Sequence, residues 1–442
     1  MNINKLMVCA MTASLGLFAY GNLPVVSNVT MTQDSSRNVT ITYDLSTSAV
    51  ITLDVQTNAN TSASADDPGW TSIGGVAVSN ARGDIWKKVE AGSHTITWRP
   101  DLSWPGYKIA NGGARAVVTA WALNNTPDYM VVDISDAAQP NTQRYYPAVD
   151  FLPGSALGQT GAVTNNPAYK TTMIVMRKIM AKGVTWTMGS TDSELGRDVT
   201  KEATHQVALT NNYYIGVFEV TQTQWALIHQ GANDFPSKFK NKPDHVVRPV
   251  EEVCFNEIRM GDGTAAAADS LEWPGAPHSS SFLGSLRTKT GIDFDLPSEA
   301  QWEFAARAGN GNTKWGDGSY IMSAVKCTNL MSLGRYYYNA GEDAETAVVG
   351  SYKANDWGLY DMHGNAWEWC LDWYANDIRS LEGAVNTDSA SGTRVLRSGA
   401  YNQDAKFSRP ACRTLAREPS FKSPTGVAMG VGFRLACRAG LD

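Results

Sequence analysis

Short alternating segments dominate the first third of the chain. Between residues 25 and 134, β-branched and aromatic residues alternate with polar ones, and turn-forming stretches such as 66–69 (DDPG) and 111–113 (NGG) separate the runs. A period of two predicts half-buried strands, here at 38–43, 49–55, 94–98 and 116–121. The pattern predicts a β-sandwich of immunoglobulin or fibronectin type over residues 22–135, in which no group of side chains suggests catalysis.

Residues 136–171 are rich in Pro, Gly, Asn, Ala and Thr, and they predict a linker. A second domain over 172–442 begins with strand patterns and continues with helices, which makes the whole chain α+β. Two helices are predicted from capping boxes, in which a Ser or Thr and a Gln three residues later bond each other's backbone: Thr221 with Gln224, and Ser298 with Gln301. Gly231 is expected to end the first of these helices.

The stretch 355–374 (NDWGLYDMHGNAWEWCLDWY) is the densest aromatic segment, with four Trp and two Tyr. Aromatic side chains bury large areas, so this segment predicts the middle of a core. Turns at its glycines bring together the carboxylates of Asp361 and Glu368 and the carbonyls of Gly364 and Ala366. Oxygen ligands on a tight turn suit Ca²⁺, and we therefore expect a calcium site here.

The amino terminus and the charge balance bear on location and partners. In residues 1–21, Lys5 precedes an apolar run that ends in small residues, which is typical of a secretory signal peptide. The run is shorter than the roughly 20 residues that span a bilayer, and this disfavours the alternative of a membrane anchor. We expect a secreted, periplasmic or cell-surface protein with no transmembrane segment after signal cleavage. The net charge of −6, with no basic stripe, argues against nucleic acid as a partner.

Five cysteines follow the signal peptide: Cys254, Cys327, Cys370, Cys412 and Cys437. Because five is odd, at least one thiol stays unpaired within the chain. The spacings contain no CxxC, so neither a zinc motif nor a dithiol redox motif is expected.

Seven segments in a fixed order resemble the formylglycine-generating enzyme (sulfatase-modifying factor) family. They are 188–190 (MGS), 218–225 (FEVTQTQW), 248–251 (RPVE), 296–309 (LPSEAQWEFAARAG), 358–370 (GLYDMHGNAWEWC), 394–397 (RVLR) and 432–434 (GFR). The resemblance extends over about 173–438. It implies a loop-rich variant of the C-type lectin fold with bound Ca²⁺.

The resemblance also implies positions for two calcium sites. The central site falls on Asp361, Gly364, Ala366 and Glu368, the residues already singled out by their oxygen ligands. A second site falls on the Asn329 side chain and Leu330 carbonyl, and on the Asp343 side chain and Glu345 carbonyl. The alternative for both sets is that the acids cap turns or pair with arginines.

Catalysis is not expected to carry over. The family's aerobic enzymes bind copper through two cysteines that follow an Arg-Gly-Gly-Ser-Trp motif, and a thiolate pair suits Cu(I) because both are soft. Here the motif reads RSGAY at 397–401, and the two cysteine positions fall on Gln403 and Ser408. Copper and formylglycine chemistry are therefore not expected. The related iron-dependent sulfoxide synthases use three histidines supplied largely by a helical domain, whereas the six histidines here are scattered.

Three functions remain open. The first is a secreted, non-catalytic protein whose loops at 401–423 bind an unknown protein, peptide or glycan in a groove formed by Tyr401, Gln403, Ser408 and Arg413. The second is an oxidoreductase with altered metal or cysteine chemistry, for which Cys412 is the candidate because Arg409 and Arg413 flank it and basic neighbours lower a thiol's pKa. The third is a surface or cell-envelope scaffold whose calcium is purely structural.

Overall fold

The structure is a computed structural model that describes residues 23–154, 162–229, 236–261, 273–413, 416–418, 420–421 and 430–441. The predicted signal peptide (1–21), Gly231 and parts of the predicted groove loop 401–423 lie outside the described residues. Within these ranges, none of the helices combines the length and apolar character needed to cross a bilayer.

The chain divides into two compact units. The first contains 23–130, 143–154, 162–166 and 439–441, and the second contains 131–142 and 167–438. The segment predicted as a linker (136–171) is therefore divided between the units, and the last described residues return to the first unit.

Strands dominate residues 23–146. Their bounds are β1 Val26–Gln33, β2 Val39–Leu45, β3 Ala49–Thr57, β4 Thr71–Ser72, β5 Arg82–Gly83, β6 Lys88–Val89, β7 Gly92–Trp98, β8 Ala114–Trp121, β9 Tyr129–Asp133 and β10 Arg144–Tyr146, with one short helix, α1 Pro100–Ser103. The four strands predicted from alternation are confirmed as β2, β3, β7 and β8. One antiparallel sheet has the order β1–β2–β7–β5, and in another β3 pairs with β8 along its length and with β6 and β4 near its ends.

The second unit has short elements and long connections, as the sequence predicted. Its strands are β11 Met173–Ile179, β12 Thr185–Met188, β13 His205–Ala208, β14 Tyr213–Gly216, β15 Trp367–Trp373, β16 Arg394–Arg397, β17 Ala416–Arg417, β18 Val431–Gly432 and β19 Ala436–Arg438. Its helices are α2 Gln222–Ile228, α3 Phe282–Thr290, α4 Glu299–Arg307 and α5 Leu330–Leu333. The sheets run β11–β14–β19, β12–β13 and β17–β16–β15–β18, and β15 and β18 are parallel.

Both predicted capping boxes are present. Thr221 and Ser298 each accept a bond from the backbone of the Gln three residues later, and each Gln side chain bonds back. Helix α3 was not predicted, although Ser281 caps it in the ordinary way. Helix α4 is buried on every side, so its charged residues need partners inside the protein.

The aromatic stretch lies in the core as predicted. Trp367 and Trp369 on β15 are almost fully buried, and Trp302 of α4 is buried completely. Gly364 adopts a φ of +121°, and a Cβ there would lie 2.3 Å from the Arg335 carbonyl oxygen. The turn before β15 therefore requires glycine, and it places the segment 334–335 directly against the predicted calcium residues.

The cap of α4 gives a testable prediction. Replacing Ser298 by Ala removes the side chain that satisfies the Gln301 N–H, and it should lower the free energy of unfolding by about 1 kcal/mol. Urea unfolding followed by Trp fluorescence measures the change. Ser389→Ala, at an exposed position, serves as the control, and an equal loss in both variants would contradict the role of the cap.

Candidate functional site

The carboxylate of Glu368, predicted as a calcium ligand, is fully occupied by protein donors. Arg434 donates to both of its oxygens at 2.6 and 2.7 Å, and the indole of Trp302 donates to Oε2 at 2.6 Å. Glu368 and Arg434 are completely buried. The acid therefore stands in a bidentate ion pair, which was the alternative considered for this residue.

Asp361, the other predicted carboxylate ligand, has an oxygen without a partner. Its Oδ2 accepts the Gly350 N–H at 2.7 Å, whereas its buried Oδ1 has no hydrogen bond in the described structure. Burial raises its pKa to about 6. A buried carboxylate with an open oxygen is a position that a cation would stabilise.

Glu219 adds a third carboxylate that the sequence analysis did not assign to a site, although it lies within the motif 218–225. It accepts hydrogen bonds from the Asn365 side chain at 2.6 Å and the Ala366 N–H at 3.0 Å. Burial and the nearby charges of Asp361 and Glu368 raise its pKa well above the usual value. Beside it lies a cavity about large enough for one water molecule.

The residues of the predicted central site thus meet some of the requirements for binding a cation. The three buried acids Glu219, Asp361 and Glu368 face two cationic side chains, Arg434 and Lys170, so the acids outnumber the cations. The Gly364 carbonyl accepts a bond from the Ser398 hydroxyl at 3.0 Å. Nowhere in the described ranges are three or more His, Cys, Asp or Glu side chains arranged to hold a metal, so a cation at Asp361 would rely on carbonyl oxygens as well. Calcium here remains a prediction.

The second predicted calcium site does not fit a cation as it stands. The Leu330 carbonyl accepts the Gly334 N–H, and the Glu345 carbonyl accepts Arg335 Nε at 2.8 Å. The Asn329 amide donates to the Tyr320 carbonyl, and the Asp343 side chain is 84% exposed. The carboxylate of Glu345 pairs with Lys242 and Arg248.

The predicted groove residues separate into two groups. Tyr401 and Ser408 are buried, and their hydroxyl oxygens have no hydrogen-bond partner in the part of the chain that the structure describes. Gln403 is half-buried, and its backbone carbonyl accepts the Tyr337 N–H at 3.0 Å. Arg413 does not line a groove, because its guanidinium is buried in an ion pair with Glu299 at 2.6 and 3.0 Å.

Two further features near Ser408 and Phe407 were missed by the sequence analysis. The buried indole Nε1 of Trp367 also has no partner among the described residues. The buried imidazole of His363 holds the backbone at Ser408. Its Nε2 accepts the Gly316 N–H, and its Nδ1 donates to the Ser408 backbone carbonyl. Burial lowers the pKa of His363 to about 4, so the imidazole is neutral. The aromatic and His-containing motif 358–370 marked this region without indicating which atoms stay unpaired.

Cys412 is buried, and the arginines beside it are committed to carboxylates. Arg409 binds both oxygens of Glu202 at 2.7 Å and lies 3.3 Å from Glu194, and Arg413 binds Glu299. No disulfide links the five cysteines that the structure describes. The positive charges that motivated Cys412 as a reactive thiol are therefore largely neutralised.

A buried network fastens the residues on either side of segment 399–408 to helix α4. Glu299 accepts from Arg413 and from Arg397, and Arg397 Nη2 lies 3.1 Å from Glu303. The two guanidiniums lower the pKa of Glu299 to about 2 against the opposing effect of burial. Glu303 also pairs with Arg307 one turn later on α4, a spacing that the sequence shows. Only the tertiary structure shows that the partners of Glu299 are Arg397 and Arg413.

Comparison with known proteins identifies the family. The sulfatase-modifying factor enzyme 1-like domain matches residues 165–439, more than half of the chain. The chain therefore belongs to this family, as its motifs suggested.

Among curated relatives, the formylglycine-generating enzyme of Streptomyces coelicolor is 36% identical over 33% of this chain and 47% of that enzyme. The enzyme of Thermomonospora curvata is 31% identical over 32% and 48%, respectively. The chain thus spans about half the length of these relatives. Among solved structures, Treponema denticola variable protein 1 aligns at 24% identity with a TM-score of 0.46, over 60% of this chain and 95% of that protein.

The network around Glu299 predicts a pH-dependent loss of stability. Glu299→Gln leaves two buried guanidiniums short of a carboxylate, and it should cost about 3–5 kcal/mol at neutral pH. Because the folded-state pKa is depressed to about 2, the stabilisation by Glu299 is complete above its unfolded pKa and is lost as the pH falls towards 2. The difference between wild type and variant should shrink over that window.

Urea unfolding at a series of pH values measures this difference. Glu382→Gln, at an exposed side chain, is the matched control and should show no such loss. A wild-type-to-variant difference that stays constant from neutral pH down to about pH 2 would contradict the assignment.

Proposed function

We propose that this family member is an exported, non-catalytic protein that binds a ligand at the segment 399–408, with calcium in a structural role. The observation that carries the proposal is the group of buried, unpartnered hydrogen-bonding atoms on and beside this segment: Trp367 Nε1, Tyr401 Oη and Ser408 Oγ. Export is supported by the sequence pattern of residues 1–21.

Unpaired buried donors are costly, and a ligand relieves the cost. Leaving a polar group buried without a partner costs about 1–3 kcal/mol, so such groups are rare without a reason. An indole N–H only donates, while hydroxyls donate and accept. A ligand with carbonyl or hydroxyl oxygens offers partners for groups of this kind, which favours a protein, peptide or glycan.

The groove segment is held in place by contacts that favour a preformed site. Tyr401 donates its N–H to the Asn365 carbonyl, and its ring contacts Phe239 edge-on. Phe407 packs against Trp367 with ring centroids 6.3 Å apart. A site built on packed aromatic rings needs little ordering when a ligand binds.

The residues at the expected copper positions argue against oxidase chemistry. Gln403 and Ser408 offer an amide and a hydroxyl, which are poor ligands for Cu(I). The alternative, an oxidoreductase acting through Cys412, would need a thiol with a lowered pKa and access to substrate. The burial of Cys412 and the pairing of its neighbouring arginines favour the binding function.

The proposed function also includes a structural calcium ion in the second unit and a spacer or scaffold role for the first unit. The central calcium is supported by the open Oδ1 of Asp361 and by the excess of buried carboxylates around it. The first unit is proposed to be a sandwich of immunoglobulin or fibronectin type that serves as a spacer or as a surface scaffold. The pairing of its strands into two antiparallel sheets supports this.

Copper loading tests the proposed function. Wild-type protein loaded with Cu(I) and desalted should retain no copper by plasma mass spectrometry, and it should leave a synthetic peptide with a Cys-x-Pro-x-Arg sequence unchanged. The double variant Gln403→Cys/Ser408→Cys, which restores two thiols, should retain copper, and Cys412→Ser should behave as wild type.

Two results would count against the proposal. Stoichiometric copper in the wild type that is lost in Cys412→Ser would support the oxidoreductase instead. A double variant without copper would contradict the assignment of residues 403 and 408 to the thiol positions, while the wild-type result would still decide between binding and catalysis.

Asp361→Asn tests the central calcium site. In EGTA the variant should melt at or above the wild-type temperature, because Asn removes an uncompensated buried charge. In millimolar Ca²⁺ the wild type should gain thermal stability through mass action, and the variant should not. Differential scanning fluorimetry measures both, with Glu382→Gln as the control. An equal gain by wild type and Asp361→Asn would show that the site is elsewhere.

A further inference from the structure

The loop 339–345 contains two of the four residues of the second predicted calcium site, Asp343 and Glu345, and a protein side chain already binds three of its carbonyl oxygens. The guanidinium of Arg335 donates to three backbone carbonyls, at 2.6–2.8 Å: those of Asn339, Ala340 and Glu345. One of these, the carbonyl of Glu345, is the oxygen that the sequence assigned to calcium. Carbonyl oxygens converging on one positive charge are the arrangement that a bound cation would otherwise create.

Among the described residues, no carboxylate competes with these carbonyls for the guanidinium of Arg335. Its remaining contact is with the Tyr352 hydroxyl at 3.4 Å, and none of the ion pairs in the described structure involves it. In this respect it differs from Arg397, Arg409, Arg413 and Arg434, which all bind carboxylates. The planar fork of donors in arginine matches several acceptors at once, whereas a lysine offers a single charged centre.

Protein cations already pair with the Asp343, Glu345 and Asp244 carboxylates around the loop. Lys242 and Arg248 pair with Glu345, and these two side chains also face Asp343 and Asp244, respectively. With Arg335, three positive side chains thus lie near these three carboxylates, and a further acid of the loop, Glu342, is exposed. The central site differs, because there the buried carboxylates outnumber the cations and Asp361 keeps an open oxygen.

We infer that Arg335 replaces the second calcium ion of this chain, so that the loop 336–346 is closed by a resident guanidinium and its order does not depend on calcium. The inference goes beyond the proposed function and is independent of whether the central site binds calcium. It has a consequence for the groove, because Tyr337, 55% exposed, follows Arg335 and donates its N–H to the Gln403 carbonyl at 3.0 Å. Ligand binding near Tyr337 and Gln403 would therefore not require calcium.

Hydrogen exchange followed by mass spectrometry tests the inference. In the wild type, exchange of peptides within 336–346 should be the same in EGTA and in millimolar Ca²⁺. Arg335→Met, which keeps the length but removes charge and donors, should speed exchange there at least about tenfold, because local opening no longer breaks three hydrogen bonds. Arg379→Gln, at an exposed arginine paired only with Asp377, should leave this segment unchanged.

Two outcomes would overturn the inference. One is a wild-type segment 336–346 whose exchange slows about tenfold on adding Ca²⁺. The other is an Arg335→Met variant whose exchange matches the wild type. If Arg335→Met does not fold, Arg335→Lys replaces it, and the wild-type comparison with and without Ca²⁺ stands by itself. Calcium-dependent protection confined to 355–374 would support the central site and leave the inference about Arg335 intact.

Discussion

The ion pairs and hydrogen bonds of buried arginine side chains are the interactions on which the second unit depends. Its strands and helices are short, and most of its chain is in long connections that cannot be held by backbone pairing alone. Arg434 joins β15 to the segment before β19. Arg409 binds Glu202 of the loop 194–202, and Arg397 and Arg413 bind Glu299 of α4, which anchors both ends of the segment 399–408. Each guanidinium spans segments far apart in sequence.

This arrangement is stable because almost every buried acid has an ion-pair or hydrogen-bond partner. Moving a charge from water into the core is costly, and the cost is offset when several donors meet one carboxylate. Glu299 is the favourable case, since two guanidiniums lower its pKa to about 2. Glu194 is the opposite case, because it shares Arg409 with Glu202 and one of its oxygens has no partner, so burial raises its pKa to about 7.

The same principle distinguishes the two predicted calcium sites. At the central site, protein cations do not balance the carboxylates, and an oxygen of Asp361 stays open. At the second site, Arg335 supplies both the charge and the donors. The segment 399–408 contains the buried hydroxyls of Tyr401 and Ser408, so its proposed function depends on unpartnered polar atoms rather than on a metal.

The sequence by itself determined much of this protein. Alternation predicted four strands of the first unit, the capping boxes predicted α2 and α4, and seven motifs in order identified the family, because these signals depend on local backbone chemistry and on residue identity. Only the tertiary structure decided the partners of the charged residues. Glu368 binds Arg434, and Arg413 binds Glu299 instead of lining the predicted groove. Arg335 binds the Glu345 carbonyl, one of those assigned to calcium. The longest of these pairings, Arg413 with Glu299, joins residues 114 positions apart, and no local pattern specifies which guanidinium reaches which oxygen.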